Sequence, residues 1–170
     1  MVSRDEKGFN TTHDFLDKHF DTKGRQRLTQ DCTIDYLSME LTLTLGYDIL
    51  ITNLAKCEKL LADAGQQDCI PTKQPPMTKQ SLKTALQYDE PLTEAENKVR
   101  MGDNGRFGWL AQTTHLGLAV ATSISQGLAP TQGTKQVSEL IYQWIQAHKH
   151  DGLLSKCDDY SGLQISSDSD

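Results

Sequence analysis

Between Tyr36 and Leu61, apolar residues recur in steps of three and four: Tyr36, Met39, Leu43, Tyr47, Leu50, Leu54, Cys57 and Leu61. That is the spacing of one face of a helix. The same stretch also alternates. Leu41, Leu43, Leu45, Tyr47, Ile49 and Ile51 fall on one side, against Thr42, Thr44, Gly46, Asp48 and Leu50. That is the spacing of a strand, and threonine favours strands. The alternation stops at Ile51, whereas the helical row continues to Leu61, and Leu37, Leu41 and Leu45 widen it. Only Gly46 interrupts, and a helix interior tolerates a glycine at about 1 kcal/mol. The reading is therefore one long helix over about 33–64, closed by "DAG" with Gly65 beyond its C-terminus. Its broad apolar face makes it the centre of an all-α, single-domain bundle of five or six helices.

The rest of the chain fits around that helix. Residues 1–11 are polar and read as a flexible N-terminus; a helix follows from Thr12 to about 21. "QQDCIPTKQPPM", 66 to 77, is a proline-rich loop, and a helix starts at Thr78 with Leu82, Ala85 and Leu86 turned inward. Thr93 and Glu96 form a capping box for a short helix ending near Met101. "MGDNGRFG", 101 to 108, reads as a turn, and 109–129 as a buried helix rich in small residues. Val137, Leu140, Ile141, Trp144 and Ile145 mark an amphipathic helix capped by Thr134, with Gly152 just past its end. The helical domain thus runs from 12 to 160, and 161–170 is an acidic, flexible tail.

Charge and composition narrow the function. Acidic residues number 23 against 17 basic ones, for a net charge of −6. Nucleic-acid binding draws on phosphate neutralisation, so this balance argues against it. No apolar run is long enough to span a membrane, and the start has no apolar signal segment. The expected compartment is the cytoplasm, or the periplasm or exterior if Met1 is not the natural start. Cys32, Cys57, Cys69 and Cys157 make no C-x-x-C pair, so no zinc ribbon or dithiol motif is expected. Reduced thiols are the favoured state; the pair best placed to bond is Cys57 with Cys69.

Candidate chemistry is sparse. In "HKHD", 148 to 151, the two histidines are two residues apart and leave a helix on different sides, so His148 reads as a cation at a helix C-terminus and no metal site is expected. No phosphate-binding, dinucleotide-binding, nucleophile-elbow or zinc-protease motif occurs, and no cofactor is expected. His115 lies in an apolar setting beside Thr113 and Thr114. Its sharpest role is as partner to a cysteine nucleophile, Cys57 or Cys157, in a small hydrolase or transferase. The preferred expectation is a non-enzymatic protein that binds and modulates another protein, with a homo-oligomer left open. Arg106, Phe107 and Trp109 are the candidate contact residues, because arginine beside aromatics anchors interfaces.

"GY" at 46–47, "CIP" at 69–71 and "TKQSL" at 78–82 are similar to part of the small helical immunity proteins that neutralise secreted amidase toxins. The resemblance implies an exported, disulfide-bonded inhibitor. The chain departs from that pattern in a longer spacing after Pro71, in lacking the closing cysteine motif, and in lacking an export signal.

Overall fold

The computed structural model describes residues 6–19, 28–30, 32–45 and 48–156. Among them the elements run α1 (Glu6–His19), β1 (Thr33–Tyr36), β2 (Met39–Leu43), β3 (Ile49–Thr52), α2 (Leu54–Asp63), α3 (Lys79–Ala85), α4 (Glu94–Thr113), a 3-10 turn (Leu116–Leu118), α5 (Ala119–Gly127), α6 (Gln132–His148) and β4 (Gly152–Ser155). The strands form one antiparallel sheet in the order β1-β2-β3-β4. The fold is therefore mixed α/β, and the all-α bundle around a helix at about 33–64 is overturned. Thr33–Tyr36, Met39–Leu43 and Ile49–Thr52 are strands, and a helix occupies only Leu54–Asp63.

The physical reason lies at Leu37 and Ser38. Both adopt left-handed backbone, with φ of 52° and 64°. Two such residues make a two-residue type I′ hairpin, the connection that matches the twist of paired strands. It reverses the chain inside the row of apolar residues that reads as helical. Thr33, Ile34, Thr42, Thr44, Ile49, Ile51 and Thr52 then supply the β-branched content that suits a pleated surface. Thr33 and Thr42 also share a hydroxyl–hydroxyl bond of 3.1 Å.

The start of α2 is built from outside the helix. Its N-cap, Asn53, makes no side-chain capping bond. Glu40 takes that role from β2: its carboxylate accepts from the Ala55 amide at 3.3 Å and from the Thr52 hydroxyl at 3.1 Å. An anion at a helix N-terminus is favoured by the unpaired amides there. The far end matches expectation. Gly65 has φ 64°, and the Gly65 and Gln66 amides donate to the Ala62 and Leu61 carbonyls at 3.0 and 2.8 Å, a Schellman closure.

The Thr93–Glu96 capping box forms as expected. The Thr93 amide donates to Glu96 Oε2 at 3.0 Å, and the Glu96 amide donates to Thr93 Oγ1 at 3.3 Å. The Thr93 amide and the Thr93 hydroxyl, which donates to Oε2 at 2.8 Å, hold the Glu96 carboxyl down at about 2 together with Lys135. The helix does not stop near Met101, however. It runs through "MGDNGRFG", because Asp103, Asn104, Phe107, Leu110 and Ala111 form one buried row while Gly102 and Gly105 sit on the open side. The expected 109–129 helix is broken at Thr114 and His115 before α5 begins. Residues 6–11 belong to α1, and Thr12 lies inside that helix, its hydroxyl donating to the Gly8 carbonyl at 3.0 Å. Gly152 is not a helix stop but the first residue of β4, where a Cβ would lie 2.4 Å from the Ile51 carbonyl oxygen.

The chain divides into two compact units, one of Met1–Ile34, Leu41–Leu50 and Leu154–Asp170, the other of Asp35–Glu40 and Ile51–Leu153. The second holds the buried core: Cys57, Leu60 and Leu61 of α2, Ala85 of α3, Phe107, Leu110 and Ala111 of α4, Leu118, Ala121, and Val137, Ile141, Tyr142 and Ile145 of α6. Burying these side chains contributes most of its stability. Among the described residues no helix is long and apolar enough to cross a membrane. The expected tail at 161–170, Cys157, and Gly46 with Tyr47 lie outside the described residues.

Candidate functional site

The second unit carries an open cleft of about 550 Å³. Leu37 and Ser38 of the hairpin turn stand at one margin, Lys56, Lys59 and Asp63 of α2 along one wall, and Gly102, Gly105, Arg106 and Trp109 of α4 along the other. The helices deliver these side chains through simple spacing. Lys56, Lys59 and Asp63 are three and four apart on the exposed side of α2, as are Gly102, Gly105, Arg106 and Trp109 on α4. The two glycines have open space where a Cβ would be, so they keep the floor low.

Three cations face one carboxylate here, in a chain of net charge −6. Arg106 Nη1 is 3.5 Å from Asp63 Oδ2, with both side chains about half exposed. Such a pair stabilises little and can be exchanged for another anion. Lys56 Nζ stands 5.7 Å from the centre of the Trp109 ring, a cation–π contact. Lys59 has no ion-pair partner among the described residues.

Leu37 carries strain. A left-handed conformation costs an L-residue roughly 1–2 kcal/mol, and type I′ turns are ordinarily filled by Asn-Gly. Leu37 is 70 % exposed, so its side chain gains little from packing. The turn is held by Asn53, which is only 1 % exposed. Assigned so that each end of the amide meets its complement, its nitrogen donates to the Ser38 and Thr52 carbonyls at 3.1 Å each, and its oxygen faces the Thr113 and Thr114 hydroxyls at 2.8 Å each.

A buried network continues from there. His115 is 2 % exposed. His115 Nδ1 shares a hydrogen bond of 2.7 Å with Thr114 Oγ1. Its Nε2 lies 3.8 Å from Cys57 Sγ and 3.1 Å from the His148 carbonyl. His148 in turn stacks on Trp144 at 4.2 Å and bonds Asp151 through Nδ1 at 2.6 Å.

The fold thus brings Cys57 and His115 together, as a catalytic pair would require. Their environment opposes the chemistry. Cys57 is fully buried, and desolvation pushes its thiol up to about 12, with Glu40 and Glu58 adding to the rise. Burial pushes the His115 imidazole below its usual range, only partly offset by the His148 carbonyl. Proton transfer from Sγ to Nε2 would create an ion pair that both shifts disfavour, so Cys57 remains a thiol beside a neutral ring. Neither group lines the cleft.

Of the expected contact residues, Arg106 and Trp109 line the cleft, whereas Phe107 is fully buried and packs edge-on against Tyr142 at 5.1 Å between ring centres. Cys57 and Cys69 are free thiols, so the possible disulfide is absent from the structure. Among the described residues no group of three or more His, Cys, Asp or Glu could hold a metal ion. Sequence reasoning missed Leu37, Ser38, Lys56, Lys59 and Asp63 as site residues. The last three did leave a signal, a charged row at helical spacing.

The chain matches no protein-family model, and comparison with curated proteins and with solved structures finds no match. The likeness to the amidase immunity proteins therefore gains nothing, and any functional reading stands on the geometry.

Proposed function

We propose that the chain is a non-enzymatic binding protein whose cleft between α2 and α4 captures an acidic segment of another protein. The observation that supports this is the local reversal of charge: Lys56, Lys59 and Arg106 against Asp63, on a chain of net charge −6. An acidic partner would be repelled by most of the surface and attracted to this cleft, which favours orientation and specificity. Three cations can neutralise few phosphates, so a nucleic acid is the poorer fit. Arg106 can leave Asp63 and take a carboxylate through two parallel bonds. The half-buried Trp109 supplies the rigid aromatic surface that anchors interfaces. An enzyme built on Cys57 and His115 draws no support from a thiol and an imidazole sealed in the core.

The test is affinity capture from the native host, comparing the wild-type chain with Lys59→Glu/Arg106→Glu. Both side chains are exposed, so the variant keeps its far-UV circular dichroism. Bound partners are expected to fall at least about tenfold with the variant and to fall as salt rises. Equal capture by the two proteins at matched salt would remove the cleft from the function.

A further inference from the structure

We infer that the cleft reads an acidic segment carrying one bulky apolar side chain, and that Leu37 is the residue selecting for it. This rests on the acidic-segment reading and goes one step further, to the partner's sequence chemistry.

The argument starts from cost. A hairpin of this type is filled most easily by asparagine and glycine, yet the chain places leucine and serine there, both at positive φ. No core contact repays the leucine, because its side chain is exposed. What it does instead is line the cleft, together with Trp109. The turn is also fixed from below, since buried Asn53 donates to the Ser38 carbonyl at 3.1 Å. An exposed leucine on a strained but anchored turn is a preformed apolar contact that loses little freedom on binding.

The cleft then has two kinds of recognition element. Leu37 and Trp109 offer apolar surface, and Lys56, Lys59 and Arg106 offer charge. A segment of carboxylates alone would satisfy the cations and leave Leu37 in water. A segment with an aromatic or large aliphatic residue between carboxylates satisfies both. Asp63 adds selectivity, since it repels a carboxylate placed on the wrong side of Arg106.

The experiment uses the full chain and three labelled peptides, followed by fluorescence anisotropy at low salt. The first is acetylated and amidated Gly-Asp-Glu-Phe-Glu-Asp-Gly. The second replaces its phenylalanine with serine. The third replaces each acid with its amide. The first peptide is expected to bind, the second to bind about tenfold more weakly, and the third to lose binding altogether. Leu37→Asn/Ser38→Gly, which relaxes the turn and should raise the melting temperature, is expected to discriminate between the first two peptides several-fold less than the wild-type chain, the remainder coming from Trp109.

Equal binding of the phenylalanine and serine peptides by the wild-type chain would overturn the selection by Leu37 and leave the acidic-segment reading in place. Undiminished discrimination by Leu37→Asn/Ser38→Gly would overturn the role of Leu37 in the same way. Binding of the amide peptide as tightly as the acidic one would overturn the acidic reading and this inference together, as would failure of all three peptides to bind.

Discussion

Replacing Asn53 by aspartate changes one NH2 group into an oxygen and tests the junction that holds the hairpin turn. The wild-type amide makes four bonds: two donated at 3.1 Å to the Ser38 and Thr52 carbonyls, two accepted at 2.8 Å from Thr113 and Thr114. At about 0.5–1.5 kcal/mol net per bond, the four together stabilise by roughly 4 kcal/mol. In Asn53→Asp the two accepted bonds survive. The two donated bonds become contacts between a buried carboxylate and two carbonyl oxygens, which costs several kcal/mol more. A loss of at least about 4 kcal/mol near pH 7 follows, against a typical total of roughly 5–15. The pH dependence carries a distinctive sign. The new carboxyl gains a donor proton when protonated, so its folded pKa lies above the unfolded value of about 3.9. Its stabilising form is fully present below that value and is lost as pH rises through the folded pKa. Urea denaturation followed by circular dichroism should show a midpoint deficit relative to wild type that is large near pH 7 and shrinks toward about pH 4.5. An unchanged midpoint, or a deficit that does not narrow on acidification, would mean that the amide presents its oxygen to Ser38 and Thr52. The anchoring of the turn would then be wrong.

Two further predictions concern packing and reactivity. A Cβ on Gly133 would sit 1.8 Å from the Ala85 carbonyl oxygen, so Gly133→Ala forces α3 and α6 apart and is expected to lower stability by about 3 kcal/mol. Gly105→Ala, which meets open space, should instead raise the melting temperature; if both substitutions stabilise in thermal denaturation, the close α3–α6 approach is not real. Cys32 is exposed and Cys57 buried with its thiol pushed up to about 12. Mass spectrometry of the native chain after brief alkylation should find Cys32 modified and Cys57 intact, and prompt modification of Cys57 would reopen the nucleophile reading.

What the sequence could and could not reveal follows from the range of the interactions involved. The Thr93–Glu96 box and the Gly65 closure are legible because every participant lies within a few residues, and local hydrogen bonds decide them. The amphipathic row of α6 is legible because burial there keeps one helical period from Val137 to Ile145. The row from Tyr36 to Leu61 misleads because four elements, β1, β2, β3 and α2, share it. Leu54, Cys57 and Leu61 belong to a real helix, while Leu43 and Leu50 lie in strands that fall at the same intervals. The residues that reverse the chain between β1 and β2, Leu37 and Ser38, carry no turn signal, since neither prefers positive φ. The glycines of α4 mislead in the opposite direction. Gly102 and Gly105 resemble a turn, but the buried row from Asp103 to Ala111 outweighs their propensity cost. The cleft is less legible still, because Lys59 and Arg106, far apart in sequence, line it together only in the folded chain. The start of the helix at 54 is set by Glu40, and Asn53 just before it anchors the hairpin turn. The same hairpin thus hides the fold from the sequence and builds the site. A change that made it easier to read, asparagine and glycine at 37 and 38, would remove the leucine from the cleft.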